Sequence, residues 1–546
     1  MSNPFASSVV SSAPVGASSP GFGIAMAVTY NASGVFGVGE FLRSYAGYDE
    51  VIADFPSLTG PEALFAAAAF AQSRRPEVIA FGRGALPPTQ RYALSALAAT
   101  ALATYPLNVQ GDGVTSTEIE LTLPAGDVVI SAVTNASDLL TSVAHGMTTG
   151  DGPYRLTNSG GGLPAGSAVD TNYWIIVISA DTFKLAATRA DAIATTPVVN
   201  LTSDGTGTHT LRRVTNDTLM AQLVQALNDV PGKNYTATQV TGTGETDTIL
   251  ITASAAGEWF SVEVPDHALA LMSIAQTHAD PGIATDLAAI VNAGGEWYEL
   301  HQLYNSKAMV VAAAAYIEAQ TDPRRIYAAV SSNSVEATTA QGTGGESIRD
   351  ALETAGYART TWWWNPAPRT FIDAAVAGRV LPLLPGSVDL VAKDLVGDGL
   401  AVNLTTTQKT NIAGRVRGAS GGRGNYYQII SGVGVTVGGK TASGEWWFVV
   451  RNDDSVNADM IISLFNWRRA NDIVRMDDPG IASGEGEVRA VLDRAVKAGI
   501  YLNPVVVSKT LAQMLPADVL AGNLPISWSA TRVRAVVFVA ATGTVS

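Results

Sequence analysis

The chain contains no cysteine in 546 residues. Disulfide staples, thiolate metal ligands and cysteine nucleophiles are therefore excluded. That absence fits folding in a reducing cytoplasm followed by service outside it. Histidine is scarce too: the five are His145, His209, His267, His278 and His301. None stands four residues from another on a predicted helix, so a zinc or di-iron site has no support. His145 and His209 sit among glycines and read as turn residues, and His267 and His278 as surface residues. Charged residues are only 15% of the chain and the net charge is −14. This argues against a nucleic-acid binder held by phosphate neutralisation. Apolar runs such as Leu64–Ala71 and Met309–Ala315 are too short to cross a bilayer. The start, MSNPFASSVVSSAPVGASSPGFG, lacks the basic region and apolar core of a signal peptide. No internal repeat is visible.

What is present is apolar mass, 47% of residues, and 53 glycines. That composition supports a large core with many turns, and the length suggests roughly two to four domains. Residues 1–23 are Ser, Ala, Pro and Gly with a few apolar positions. They read as a frayed tail, or as an arm that orders on a neighbour through Val9 and Val10. Residues 24–84 mix strand signals (Ile24–Tyr30, Gly37–Phe41, Glu77–Gly82) with helix signals (Tyr48–Phe55, Pro61–Ala71). Thr89–Leu102 reads as a helix. From Leu107 the texture turns to strands and turns. Within it, 131–213 stands apart as short strands (Tyr173–Ile178, Thr182–Ala186, Pro197–Leu201, Thr208–Leu211) between Gly, Asp and Asn turns. It reads as a small β-module inserted in a host domain, because surface loops tolerate long insertions. Asn216–Val230 is an amphipathic helix. Tyr235–Thr241, Thr248–Ala253 and Phe260–Val264 follow as strands that pair with 107–124 around the insertion.

Helices and strands then alternate: Ala284–Ala293, Lys307–Glu318, Ile326–Val330, the helix SIRDALETAG closed by Gly356, Arg359–Trp364 and Thr370–Ala377. This is the pattern of an α/β layer. Tyr426–Ile430, Val433–Val437 and Trp446–Val450 read as a three-strand meander, followed by helical spacing at Met460, Ile461, Leu464, Phe465 and Arg468. Ser483 reads as the cap of a helix closed by Gly499, Asp477-Asp478-Pro479-Gly480 as a turn, and Pro525–Ala540 as a long strand.

Two catalytic patterns match by letter. Gly434 to Thr441 satisfies the phosphate-loop pattern, but that chemistry needs the loop to follow a strand and open a helix. Here the next segment reads as a strand, so a hairpin turn is the reading. Gly418-Ala419-Ser420-Gly421-Gly422 satisfies the nucleophile-elbow pattern, yet no histidine follows it in the chain, as that hydrolase order requires. Asp350 and Glu353 share a helix face and read as solvated. Scattered carboxylates leave a glycan hydrolase open as an alternative. Trp362-Trp363-Trp364 suits sugar stacking, and equally a strand end packed in the core or on a neighbour.

Several motifs, taken in order, resemble the sheath protein family of contractile bacteriophage tails. They are Gln72-Ser73-Arg74-Arg75-Pro76 with Phe81-Gly82-Arg83; Gly378-Arg379-Val380-Leu381-Pro382; Pro385-Gly386-Ser387; Lys393-Asp394-Leu395-Val396-Gly397; Leu404-Thr405-Thr406-Thr407-Gln408; and the Asn425–Arg469 stretch with its Tyr-Tyr hairpin. The resemblance covers most of 24–130 and 214–510, and 415–427 departs from it. Separately, 131–213 resembles a β-module that recurs as an insertion in phage structural proteins.

The sheath resemblance implies a mixed α/β multidomain fold, an α/β sheath core carrying an inserted all-β module and extended terminal arms. The implied domains are an arm at 1–23; a split α+β domain at 24–130 plus 214–280; the module at 131–213; the sheath core at 281–524; and a terminal strand or arm at 525–546. The implied function is structural and non-enzymatic, with no cofactor, no metal, no direct nucleic-acid contact and no membrane insertion. Subunits stack as hexameric rings in a helix around an inner tube, and contraction drives the tube through a host envelope during genome delivery. Implied partners are further copies of the chain, the tail tube protein, and baseplate and tail terminator proteins, in a virion tail assembled from protein made in the host bacterial cytoplasm. Strand exchange would run through Val9 and Val10 at one end and Val533, Ala535, Val537 and Val539 at the other. A baseplate or adhesin protein, suggested by the β-module and the Trp-rich strand, is a further alternative.

Overall fold

The computed structural model describes residues 22–535, apart from 32–34, 86–88, 97–98, 112–116, 241–246, 256–258, 266–267, 279, 322, 343–346, 368 and 415–421. The chain divides into two units, one made of the segments up to Ala85 and from Pro281, the other of Leu86–Asp280.

The first unit is built on a six-stranded sheet. Ala25–Thr29 lies at its centre, parallel to Ile79–Arg83 on one side and Glu299–Gln302 on the other. Ile326–Ser331 and Thr360–Trp364 extend it in parallel, and Leu42–Tyr45 adds an antiparallel edge. The central strands are buried along nearly their whole length. This is why they read as continuous apolar runs, since a parallel sheet is covered on both faces. Trp362, Trp363 and Trp364 are therefore core residues. Helices Pro61–Phe70 and Ile372–Val380 cross closely enough that a Cβ on Gly378 would stand 2.2 Å from the Ala69 carbonyl oxygen. Helix Ile348–Ala355 is capped by the Ser347 hydroxyl and closed by Gly356 at φ 68°.

In the second unit, Arg91–Ala96 lies between Thr248–Ala253 and Met272–Gln276 in a four-stranded sheet with Tyr235–Val240 at its edge. Phe260–Glu263, Thr104–Gly111 and Thr117–Thr122 make a three-stranded sheet. Helix Asn216–Asn228 buries Leu219, Met220, Leu223 and Leu227 in the same core. Strands from Val128–Ile130 to Thr208–Arg212 form a seven-stranded sheet around a separate core that includes Leu140, Leu156, Ile175, Phe183 and Leu211.

The structure corrects several expectations. Thr89–Leu102 is not a helix. Its central stretch, RYALSA, pairs on both sides, which outweighs the helical preference of alanine and leucine. Trp446–Val450 is not a strand: Trp446 is the N-cap of helix Trp447–Ala470. That helix begins buried on almost every side (Trp447, Phe448, Val449, Arg451, Asn452), so its first turns show no one-sided stripe. Asp477–Gly480 opens helix Asp478–Lys497, with the Asp477 carboxylate accepting from the Gly480 amide at 2.9 Å. Ser483 lies inside that helix, where its hydroxyl accepts from the Trp467 indole at 3.0 Å. The second N-terminal strand is Leu42–Tyr45 rather than Gly37–Phe41. No strand forms over 197–201, and among the described residues the last strand is Ile526–Arg532, while 536–540 of the expected Pro525–Ala540 lie outside them.

Candidate assembly surface

The motifs that carry the sheath resemblance fold onto one another. The Gln72 side chain donates to the Val396 carbonyl at 2.7 Å and accepts from the Val396 amide at 3.0 Å, a two-way clamp between segments far apart in sequence. Arg379 forms an ion pair with Asp394 at 2.9 Å, and the Tyr427 hydroxyl bonds both the amide and the carbonyl of Leu395 at 3.2 Å. Thr405 and Gln408 form a reciprocal capping box. The Asn425 side chain donates to the Trp362 carbonyl at 2.9 Å and accepts from the Gly439 amide, tying the hairpin Tyr426–Ile430/Val433–Val437 to the central sheet.

The phosphate-loop letters belong to that hairpin. Gly438 and Gly439 have φ of 115° and 100°, a turn conformation that suits glycine. Lys440 bridges back to Trp446 and lies 5.6 Å from its ring. A helix does follow, contrary to the sequence reading. However, it opens at Trp447 after an intervening turn, with the Trp447 amide on the Gly439 carbonyl at 3.0 Å. The helix terminus is thus satisfied by protein and not aimed at an anion. Ser420 lies outside the described residues.

Beyond the hairpin, helices Trp447–Ala470 and Asp478–Lys497 pack on a two-stranded antiparallel sheet, Tyr501–Ser508 with Ile526–Arg532. Val456, Val488, Val491, Leu492, Ala495, Ile500, Tyr501 and Val506 form the shared core. A two-stranded sheet offers an unpaired edge on each side. Around it Leu502, Val505, Val507, Leu515, Leu520 and Trp528 are exposed, Leu520 at 91%. Large apolar side chains left in solvent mark association surfaces when they gather. The chain's exit is anchored by charge. Arg532 pairs with Asp453 at 2.6 Å, Arg534 pairs with Glu445 at 2.9 Å, and the Tyr501 hydroxyl donates to Asp453 at 2.8 Å. Burial raises the Glu445 carboxyl, but the Arg534 bond, the Trp446 amide and the Arg534 and Arg532 charges together leave it below its ordinary value.

Of the strand-exchange residues, Val9, Val10, Val537 and Val539 lie outside the described residues. Val533 and Ala535 follow the last strand, and the Val533 amide donates to the Ile500 carbonyl of its own chain at 2.9 Å.

Sequence reasoning missed how thoroughly the acidic groups are used structurally. Glu353 is not solvated. It is buried and accepts from the Trp362 indole at 3.1 Å and the Arg423 amide at 2.6 Å, while burial pushes it up to about 7. Asp350 pairs with buried Arg349 at 2.9 Å. Asp454 is held by Arg359 and by the Tyr298 hydroxyl. The histidines are likewise engaged: His145 accepts from the Met147 amide and His209 meets Asn158, each within 3.0 Å. His278 accepts from the Arg91 amide at 2.8 Å, and His267 is outside the described residues. Among the described residues no group of three or more His, Asp or Glu is placed to hold a metal ion. No helix among them is long and apolar enough to cross a membrane.

No protein-family model matches the chain, and no curated protein matches it. Among solved structures, the helical sheath of the anti-feeding prophage in its contracted state matches at 15% identity, over 48% of this chain and 73% of that one, with a TM-score of 0.37. The contracted sheath complex of an extracellular contractile injection system matches at 13% identity, over 48% and 74%, with a TM-score of 0.35. A sheath tail protein from Listeria innocua matches at 10% identity across 94% of this chain and 96% of that one, with a TM-score of 0.41. Each of these three structures is of a sheath or sheath tail protein.

Proposed function

We propose that this chain is the sheath subunit of a contractile bacteriophage tail. It polymerises helically around a tail tube, meets baseplate and terminator proteins at the ends, and contracts to drive the tube through a host envelope for genome delivery. The observation that carries the reading is the mutual clamping of the resemblance motifs, Gln72 on Val396, Arg379 on Asp394 and Tyr427 on Leu395. Short motifs that are weak one by one act here as a single scaffold beneath the C-terminal layer. Segments 1–23 and 525–546 serve in this reading as arms that add strands to sheet edges of neighbouring copies, through Val9, Val10, Val533, Ala535, Val537 and Val539, with Ile526–Arg532 paired inside its own chain as the root of the second. A contact between unlike surfaces that does not close gives a helical filament. Residues 131–213 act as an inserted module that decorates the assembly. The acids weighed for a glycan hydrolase, Asp350 and Glu353, are engaged in structural bonds, which favours the mechanical role.

The test is electron microscopy of the purified full chain and of a chain lacking residues 1–20. The full chain is expected to form tubular polymers and the truncated one to stay folded and monomeric. Tubes of normal length from the truncated chain would refute the arm assignment.

A further inference from the structure

Beneath the C-terminal layer lies a charged cluster that no step of assembly requires. Glu299 and His301 project from one side of the same central strand, 3% and 0% exposed. The His301 Nδ1 meets the Asp373 carboxylate of helix Ile372–Val380 at 2.7 Å. Arg451 enters from helix Trp447–Ala470, buried to 1%, its guanidinium 5.4 Å from the Trp447 ring centre and 5.7 Å from that of Phe22. It donates to the Leu381 and Leu383 carbonyls at 2.8 and 2.7 Å. Several polar atoms here have no hydrogen-bond partner: Glu299 Oε2, His301 Nε2, Asp373 Oδ1, and Arg451 Nε and Nη1. Buried polar atoms are normally paired, so a group of them in one place demands an explanation.

The neighbouring elements add no free charge. Helix Pro61–Phe70 presents the Phe65 ring edge-on to His301 at 5.2 Å, and its Glu62 accepts from the Thr29 hydroxyl. Strand Ile326–Ser331 presents Tyr327, whose hydroxyl bonds Gln302. Asp454, one helical turn beyond Arg451, is committed to Arg359 and Tyr298.

We propose that Glu299, His301, Asp373 and Arg451 form a proton-operated latch that holds helix Trp447–Ala470 on the central sheet. Burial pushes Glu299 up to about 7. Burial pulls His301 down, but the Asp373 bond together with the Asp373 and Glu299 charges leaves it above its ordinary value. Both groups bind protons more tightly folded than unfolded. The stability they give is complete at acid pH and is lost as pH rises through neutrality. Proton loss weakens the His301–Asp373 bond that ties helix Ile372–Val380 to the strand, and with it the seat of helix Trp447–Ala470, whose Arg451 is held by the Leu381 and Leu383 carbonyls at the end of that helix. The latch itself does not depend on the sheath reading; its consequence, control over how firmly the assembly layer is seated, does.

Urea unfolding of the full chain between pH 5 and pH 8 tests this. The folding constant of the wild type is expected to fall with pH by roughly 100-fold more than that of Glu299→Gln, which cannot lose the proton. Glu353 and Glu336, a second buried carboxyl that burial raises, titrate alike in both proteins, so the difference isolates the latch. Equal slopes would overturn it. Should Glu299→Gln not fold, amide exchange of the wild type decides, corrected for the intrinsic rate at each pH. Protection over 449–456 is expected to drop at least tenfold relative to 310–317 between pH 6 and pH 8, and parallel protection would overturn the proposal. Polymerisation of the same samples is scored separately, so failure of the sheath reading would not be mistaken for failure of the latch.

Discussion

Replacing Asp454 by alanine is the sharpest test of how the C-terminal layer is held. The Asp454 side chain is 1% exposed and Arg359 is 13% exposed. The pair is two-pronged, with Nη2 to Oδ1 at 2.6 Å and Nη1 to Oδ2 at 2.8 Å. The Tyr298 hydroxyl adds a third bond at 2.9 Å, and Arg324 stands 3.8 Å away. Truncating the carboxylate strands a buried guanidinium and a buried hydroxyl together. Breaking a buried pair from one side costs about 3–5 kcal/mol. Arg359 keeps one bond, to the Arg325 carbonyl at 2.8 Å, which places the expectation nearer the lower figure. At about 2–4 °C per kcal/mol, Asp454→Ala should lower the melting temperature by roughly 10 °C. The triple variant Asp454→Leu, Arg359→Met, Tyr298→Phe removes every stranded group and should recover much of that loss. Calorimetry or chemical unfolding of both variants gives the answer. A cost below about 1 kcal/mol for Asp454→Ala would show that the tie contributes little. A triple variant less stable than the single one would show that the cost does not come from stranded polarity.

Gly378→Ala should destabilise by about 1–3 kcal/mol, read by urea unfolding, because its Cβ meets the Ala69 backbone and not a side chain that can move. Lys440→Ala should leave calorimetric ATP titrations indistinguishable from wild type; nucleotide binding lost in the variant would restore the phosphate-loop reading. Excising 131–213 would strand Val128–Ile130, whose partner is Thr208–Arg212. Replacing 127–213 by a short Gly/Ser linker should therefore give the more soluble protein and leave polymer formation, scored by electron microscopy, intact.

Elements that end within their own sequence were the ones legible in it. Helix Lys307–Glu318 has the bounds its sequence suggests, and the structure adds the Ser306 hydroxyl as its cap. Ile348–Ala355 was read from Ser347 and Gly356, and the capping box of Thr405 and Gln408 marks its helix in four letters. Helix Trp447–Ala470 was misread at its start because its first turns are surrounded by protein, which removes the contrast between faces on which a period depends. Arg91–Ala96 was misread because its register is set by strands more than a hundred residues further on.

The polar chemistry was illegible for a related reason. A carboxylate in a sequence looks the same whether water or a guanidinium will surround it. Glu353 reads as solvated because it shares a helix face with Asp350, yet its partners Trp362 and Arg423 arrive from a strand and a loop. Asp454 meets Arg359 and Tyr298 across separations of 95 and 156 residues, which no local pattern encodes. A chain with only 15% charged residues has few acids to spare, and many of those within this first unit are engaged in ties between segments distant in sequence. Such ties resist pulling, because each must be broken at the full cost of exposing or stranding a charge. In the proposed sheath role such ties would let a subunit pass force from one neighbour to the next.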